Sequence, residues 1–165
     1  MKPVMARVKK IMMTNVPTLK KEANIEEGAK LLARQGAGCV VITEGSKPIG
    51  ILTELDFVRN IIAKSKGLKT PVSRVMSSPV FCMAPDMKLD EALKIIDTKK
   101  FRRYPVVDNG QLVGLVTKKD VVTAISDNVK FHRNIQNAVL VLFVLFEFFV
   151  FVVYRYVYMY LPFGA

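Results

Sequence analysis

Two short polar pairs hold the residue types in this chain best suited to chemistry with a ligand. Thr53 and Asp56 end the run Gly50-Ile51-Leu52-Thr53-Glu54-Leu55-Asp56, and Thr117 and Asp120 end Gly114-Leu115-Val116-Thr117-Lys118-Lys119-Asp120. In each, a hydroxyl and a carboxylate stand three residues apart, beside a glycine and at the end of an apolar run. That is hydrogen-bonding chemistry, and its duplication points to two related ligand clefts. The same residues also suit a helix start, where an acidic side chain caps free N–H groups and sits well against the helix dipole. Thr is equally at home in a strand. Bond-breaking chemistry lacks its usual signatures. There is no phosphate loop, no paired-cysteine metal pattern and no nucleophile–histidine arrangement, and the single histidine, His132, has no ligand-type neighbour. A non-enzymatic protein is expected.

The elements that must position these pairs repeat with them. The offset is 64 residues and runs upstream without a gap: Val8 and Met12 map to Val72 and Met76, Val16 to Val80, and Ile25-Glu26-Glu27 to Leu89-Asp90-Glu91. Each copy reads as a short strand, a helix, two strands and a second helix. Val80 to Met83 is the short apolar run of copy two, closed by Pro85. Leu89, Ala92, Leu93 and Ile96 follow at the spacing of a buried helical stripe, matched by Ile25, Ala29, Leu32 and Ala33 behind Asn24, a good N-cap. Tyr104 to Val107 and Leu112 to Val116 flank Asp108-Asn109-Gly110, a strong hairpin signal, and Glu44-Gly45-Ser46 serves the first copy. Ser65 to Thr70 is a polar link between copies.

The formal charge of +11 over 165 residues points to an anionic partner: nucleotide, nucleic acid or acidic lipid. Lysine-rich solvated faces have the same composition, and Lys99-Lys100 and Arg102-Arg103 fit one as well as a phosphate site. Cys39 and Cys82 lie in apolar stretches at positions that do not correspond, as expected of free thiols in a reducing compartment. Met12, Met13 and Met76 read as core fillers. No secretory signal is seen in Met1 to Lys10.

The duplicated Gly-x-x-Thr-x-x-Asp run, with Val72-x-x-Val75-Met76 and Tyr104-Pro105-Val106-Val107-Asp108, resembles the CBS domain in its tandem arrangement, the Bateman module. The likeness covers residues 4 to 127. It implies an α/β (α+β) fold of two β-α-β-β-α repeats, 4–66 and 67–128, packed sheet to sheet. It further implies clefts that bind adenosine compounds such as AMP, ADP, ATP or S-adenosylmethionine as regulatory ligands, with no required cofactor and no metal, and pairing of two modules into a homodimer. By the same resemblance Asp56 and Asp120 accept the ribose hydroxyls, and Thr53 and Thr117 meet the α-phosphate near a helix start. Val16, Val40 and Ile51 sandwich the base in copy one, and Val80, Tyr104 and Leu115 in copy two, with Pro105 beside them. Arg102, Arg103, Lys118 and Lys119 meet phosphates. Copy one has Gly38-Cys39, Val41 and Glu54-Leu55 in place of Arg102-Arg103, Pro105 and Lys118-Lys119, so the second cleft is expected to be the better site.

After a linker at 129–137 the composition changes. Residues 138–160 carry only Glu147 and Arg155 as charges among Val, Leu, Phe and Tyr. As a helix these residues extend about 35 Å at ~1.5 Å per residue, enough for a hydrocarbon core of about 30 Å. Tyr154, Tyr156, Tyr158 and Tyr160 gather at one end as an aromatic belt, and Lys130 and Arg133 flank the other. A transmembrane anchor with the repeats in the cytoplasm and the C-terminus outside is expected. Glu147 is costly in lipid, so a buried or oligomer-forming segment is the rival. A sensor of adenosine-containing nucleotides is the leading reading, with an unknown regulated protein. A nucleic-acid binder and a ligand-free dimerisation module are the alternatives. The first of these lacks the interleaved surface aromatics of single-strand binders.

Overall fold

A computed structural model describes residues 6–35, 38–62, 64–99 and 101–160. The chain forms two compact units, Met1–Ala124 and Ile125–Ala165. Lys100 and the first residues of the expected repeat, 4 and 5, lie outside the described residues, as does the side chain of His132.

In the first unit, copy one contributes β1 (Thr18–Lys20), α1 (Ile25–Gln35), β2 (Cys39–Glu44), β3 (Lys47–Thr53) and a short α2 (Glu54–Asp56) that runs into a π-helical stretch, Phe57–Ile62. Copy two contributes α3 (Leu89–Lys99), β4 (Arg103–Asp108), β5 (Gln111–Thr117) and the first turns of α4 (Lys118–Tyr160). β1 is parallel to β2, and β2 is antiparallel to β3 with Val41 opposite Ile51. β4 is antiparallel to β5 with Pro105 opposite Leu115, the same register 64 residues on. Even the bulges correspond, at Ile42/Thr43 and Val106/Val107. The expected first strand of copy two does not form a ladder. Val80 to Met83 makes one parallel bridge, Met83 to Val106, with the Met83 N–H donating to Pro105 O at 2.9 Å and the Val107 N–H to Met83 O at 2.9 Å. Pro79 and Pro85 bracket that run, and proline has no N–H to extend the pairing.

Local chemistry accounts for the ends. Asn24 caps α1 reciprocally: its Oδ1 accepts from the Glu27 N–H at 3.0 Å, and Glu27 Oε1 accepts from the Asn24 N–H at 3.4 Å. Asn109 and Gly110 both adopt positive φ, 47° and 80°, in the tight turn between β4 and β5.

Each copy is completed by a segment that precedes the other. Residues 6–13 pair with copy two: the Val8 N–H donates to Met87 O at 3.0 Å, the Leu89 N–H to Ala6 O at 3.1 Å, and Met13 bridges Leu115. Residues 70–77 pair with copy one in the same way, through Val72 N–H to Ala23 O at 2.8 Å, Ile25 N–H to Thr70 O at 3.0 Å, and a bridge from Ser77 to Ile51. Val8 and Val72 are fully buried. The motif glycines permit the crossing. A Cβ on Gly50 would stand 2.3 Å from Met76 Sδ, and one on Gly114 would stand 2.7 Å from Met12 Sδ and 3.0 Å from Met13 O.

Strand parity divides the interior. Val40, Ile42 and Leu52 pack with Ile25, Leu32, Ile61, Val72 and Val75, which is copy one's own core. Cys39, Val41 and Ile51 point the other way and pack with Leu115 of copy two, with Val16, Val80 and Leu112 against them. Two sheets therefore meet across a shared apolar layer.

The second unit continues α4 to Tyr160, so residues 129–137, expected as a linker, are helical. Within it, Arg133–Val157 is 25 residues long and contains an 18-residue stretch of mean hydropathy 2.5, long and apolar enough to cross a membrane.

Candidate functional site

Both Thr–Asp pairs form reciprocal caps. Thr53 donates its N–H and its hydroxyl to Asp56 Oδ2, at 2.8 and 2.7 Å, while Thr53 Oγ1 accepts from the Asp56 N–H at 3.3 Å. Thr117 and Asp120 repeat this at 2.9, 2.8 and 3.2 Å. Each threonine ends a strand and each aspartate lies three residues on, in the first helical turn, which is the spacing a capping box requires. The helix-cap reading is thus realised in both copies. It consumes only one oxygen of each carboxylate, so it leaves a ligand role for the other.

That other oxygen differs between copies. Asp56 is buried and its Oδ1 accepts from the Ser77 hydroxyl at 3.0 Å. Asp120 is half-buried, and among the described residues no side-chain donor meets its second oxygen.

A cavity of about 460 Å³ opens at the first pair. Ile51, Thr53, Glu54, Leu55, Asp56 and Arg59 of copy one line it, together with Gly38. The opposite wall is Ser77, Pro79, Val80, Phe81, Phe101, Arg102 and Arg103. Arg59, Arg102 and Arg103 oppose the acids Asp56 and Glu54, so the rim is net basic. Arg103 reaches it by passing close over Gly38, where a Cβ would lie 2.5 Å from its guanidinium, and Gly38 has a positive φ of 63°. The adjacent Cys39 thiol is pushed up in pKa by burial, with the Arg103 charge pulling the other way.

The expected site residues fall into three groups. Ile51, Thr53, Asp56, Val80 and Arg103 come together on this one cavity, although Val80 and Arg103 belong in sequence to the copy of the second pair. Leu115 and Val16 lie in the shared layer between the sheets and not on the wall of this cavity. Thr117 and Asp120 hold their own cap, and Lys118 lies 3.8 Å from Asp97. Val40, Tyr104 and Pro105 are buried and are not on the cavity wall. Val40 faces copy one's own core, and Tyr104 donates its hydroxyl to Phe101 O at 3.1 Å with its phenol pKa raised by burial. Val40 and Tyr104 are therefore not on the wall where Ile51 and Val80 stand, as expected when alternate residues of a strand face opposite sides. Arg102 and Arg103, expected at the second cleft, stand across from Asp56, while Lys118 and Lys119 directly follow Thr117.

Sequence reasoning missed Ser77, Phe81, Phe101 and Arg59. The signal for Ser77 was present in its place directly after Met76, on the segment that crosses to the motif glycine. Phe81 and Phe101 each make edge contacts with Tyr104, at 6.4 and 6.3 Å between ring centroids.

A family model described as the CBS domain matches residues 8–63 and again 72–127. An uncharacterised protein of Methanopyrus kandleri is 36% identical over 112 residues, 67% of this chain and 56% of that protein, so the chain spans little more than half of this relative. A CBS domain-containing protein of Bacillus subtilis is 33% identical over 117 residues, covering 71% of this chain and 84% of that one. Among solved structures, the CBS domain pair of protein MJ0100, in complex with 5-methylthioadenosine and S-adenosyl-L-methionine, is similar at a TM-score of 0.66 and 25% identity, over 75% of this chain and 98% of that one.

Proposed function

We propose that this chain, which belongs to the CBS-domain family, is a non-catalytic regulatory module that senses an adenosine-bearing ligand and is held at a membrane by its C-terminal helix. The observation that carries the sensing role is the cavity that joins the Thr53–Asp56 pair of one repeat to Val80, Arg102 and Arg103 of the other. There the base lies between Ile51 and Val80, and the ribose hydroxyls exchange with Ser77 for Asp56 Oδ1. Phosphates extend toward Arg102 and Arg103, where a guanidinium offers a bidentate fork. The MJ0100 pair with its two adenosine compounds supports the ligand class. AMP, ADP, ATP and S-adenosylmethionine all belong to it, and the basic rim favours the phosphate-bearing members.

Regulation follows from where the ligand sits. A molecule gripped by both repeats biases their packing by its differential affinity for the two arrangements. The module works as a homodimer, for which the exposed Leu55, Val58 and Ile62 offer apolar surface. The apolar Arg133–Val157 helix supports the anchor.

Isothermal titration of the full chain in detergent against AMP, ADP, ATP and S-adenosylmethionine tests the sensing role. We expect heat with at least one, and weaker binding in Asp56→Ala. No heat with any of the four would leave a ligand-free dimerisation module. The anchor is tested by washing membranes with salt and then alkali: an inserted helix stays, whereas a protein held by its +11 charge is released by salt.

A further inference from the structure

We infer that the C-terminal helix pairs in the membrane with the same helix of a second copy, in parallel, with Glu147 hydrogen-bonded to Glu147 across the seam. This rests on the membrane-anchor reading above. Glu147 lies in the middle of the apolar helix, fourteen residues after Arg133 and ten before Val157. At mid-depth a carboxyl group finds no water, and its cost there is met only by a hydrogen-bonding partner at the same depth.

The chain's own helix does not provide one. Arg155 is eight residues on and Arg133 fourteen residues back, about 12 Å and about 21 Å along the axis at ~1.5 Å per residue. Glu147 takes part in none of the ion pairs among the described residues. A second copy threaded in the same direction supplies the partner by symmetry. Its Glu147 arrives at the same depth, and a two-fold axis makes the contact self-complementary. In that contact the O–H of one carboxyl donates to an oxygen of the other.

The surrounding residues suit such a seam. Leu140 and Tyr154 lie seven residues either side of Glu147, and Phe143 and Val150 four before and three after, so all share its face. Leu140, Phe143 and Val150 are exposed on the isolated chain, at 62%, 60% and 45%. A single polar group in an otherwise apolar seam fixes register and partner number, as it does in coiled coils.

The experiment is disulfide cross-linking of the full chain in membranes, with Phe143→Cys on the Glu147 face, Leu142→Cys on the opposite face, and the chain without an introduced cysteine as background. Phe143→Cys is expected to give cross-linked dimer and Leu142→Cys only background. Adding Glu147→Leu to Phe143→Cys should weaken the dimer about threefold to thirtyfold, while Glu147→Gln, which keeps a donor and an acceptor, should stay within about twofold. Equal cross-linking from both faces, or an undiminished yield with Glu147→Leu, overturns the inference. So does loss with Glu147→Gln, which would identify the partner as a basic residue on a foreign helix. Release of the unmodified chain by alkali fails the anchor reading itself, whereas face-independent cross-linking in a chain that stays in the membrane fails this inference alone.

Discussion

Asp56 holds three protein donors, two from Thr53 and one from Ser77, whereas Asp120 holds the two from Thr117. The position 64 residues before Ser77 is Met13, which has no hydroxyl to give. Opposite the first pair stand Arg102 and Arg103, and their counterparts in copy one are Gly38 and Cys39. The two motifs match in their internal hydrogen bonds and in the methionine that crosses each glycine, and differ in the side chains that face the carboxylates. A duplicated motif meets a different wall when each copy's far wall comes from the other copy.

The largest expected effect is on ligand affinity at the first pair. Asp56→Ala should weaken adenosine-compound binding about tenfold to a hundredfold, as loss of a charge-assisted hydrogen bond costs ~1.5–3 kcal/mol. Asp120→Ala, measured by the same titration, should weaken it less. Equal losses, or a greater one from Asp120→Ala, would mean that the cavity at Asp56 is not the main site.

Next in size is the contrast between the motif glycines, read as thermal or denaturant stability. Gly114→Ala should cost about 1–3 kcal/mol, because the new methyl meets the Met13 carbonyl as well as Met12. Gly50→Ala meets only the Met76 side chain within its closest contacts, which can turn aside. Met76→Ala should therefore recover part of the Gly50→Ala loss, while Met12→Ala should recover less in Gly114→Ala. Identical behaviour of the two double variants would show the crossings to be equivalent.

The smallest effect separates the basic residues. Arg102→Glu with Arg103→Glu should lower ATP affinity about twofold to tenfold more than adenosine affinity, and the gap should shrink with added salt. Lys118→Glu with Lys119→Glu should change that gap little. If the lysine pair shows the larger discrimination, phosphate recognition belongs to the second pair.

Much of the fold was legible because its signals are local. Asn109-Gly110 demanded a tight turn, Asn24 an N-cap, and Leu89, Ala92 and Ile96 a buried stripe, and each is realised. The Thr–Asp pairs were legible for the same reason. Cavity composition was not. Cys39-Val40-Val41-Ile42 is buried on both faces, so no polar alternation reveals that Val41 faces the other copy while Val40 faces its own helix. The 64-residue offset also invites assigning Arg103 and Val80 to the copy in which they occur, although the fold brings them to the other copy's motif. The continuity of α4 through 129–137 went unread because Lys130 to Asn137 is polar, and polarity suits an exposed helix as well as a linker.

The crossed segments at 6–13 and 70–77 have a consequence for how such a chain could have arisen. Taken alone, one 64-residue unit has an arm that its own body cannot use and a slot that its own arm does not fill. Two separate units would satisfy both by trading arms, as a domain-swapped pair does. The tandem chain is that exchange made permanent by a peptide bond: Ser65 to Thr70 ties the partners together, and their association no longer depends on concentration. Joined in this way the two halves need not be identical: one supplies Arg102 and Arg103 to the cavity, and the other supplies Gly38, over which Arg103 passes.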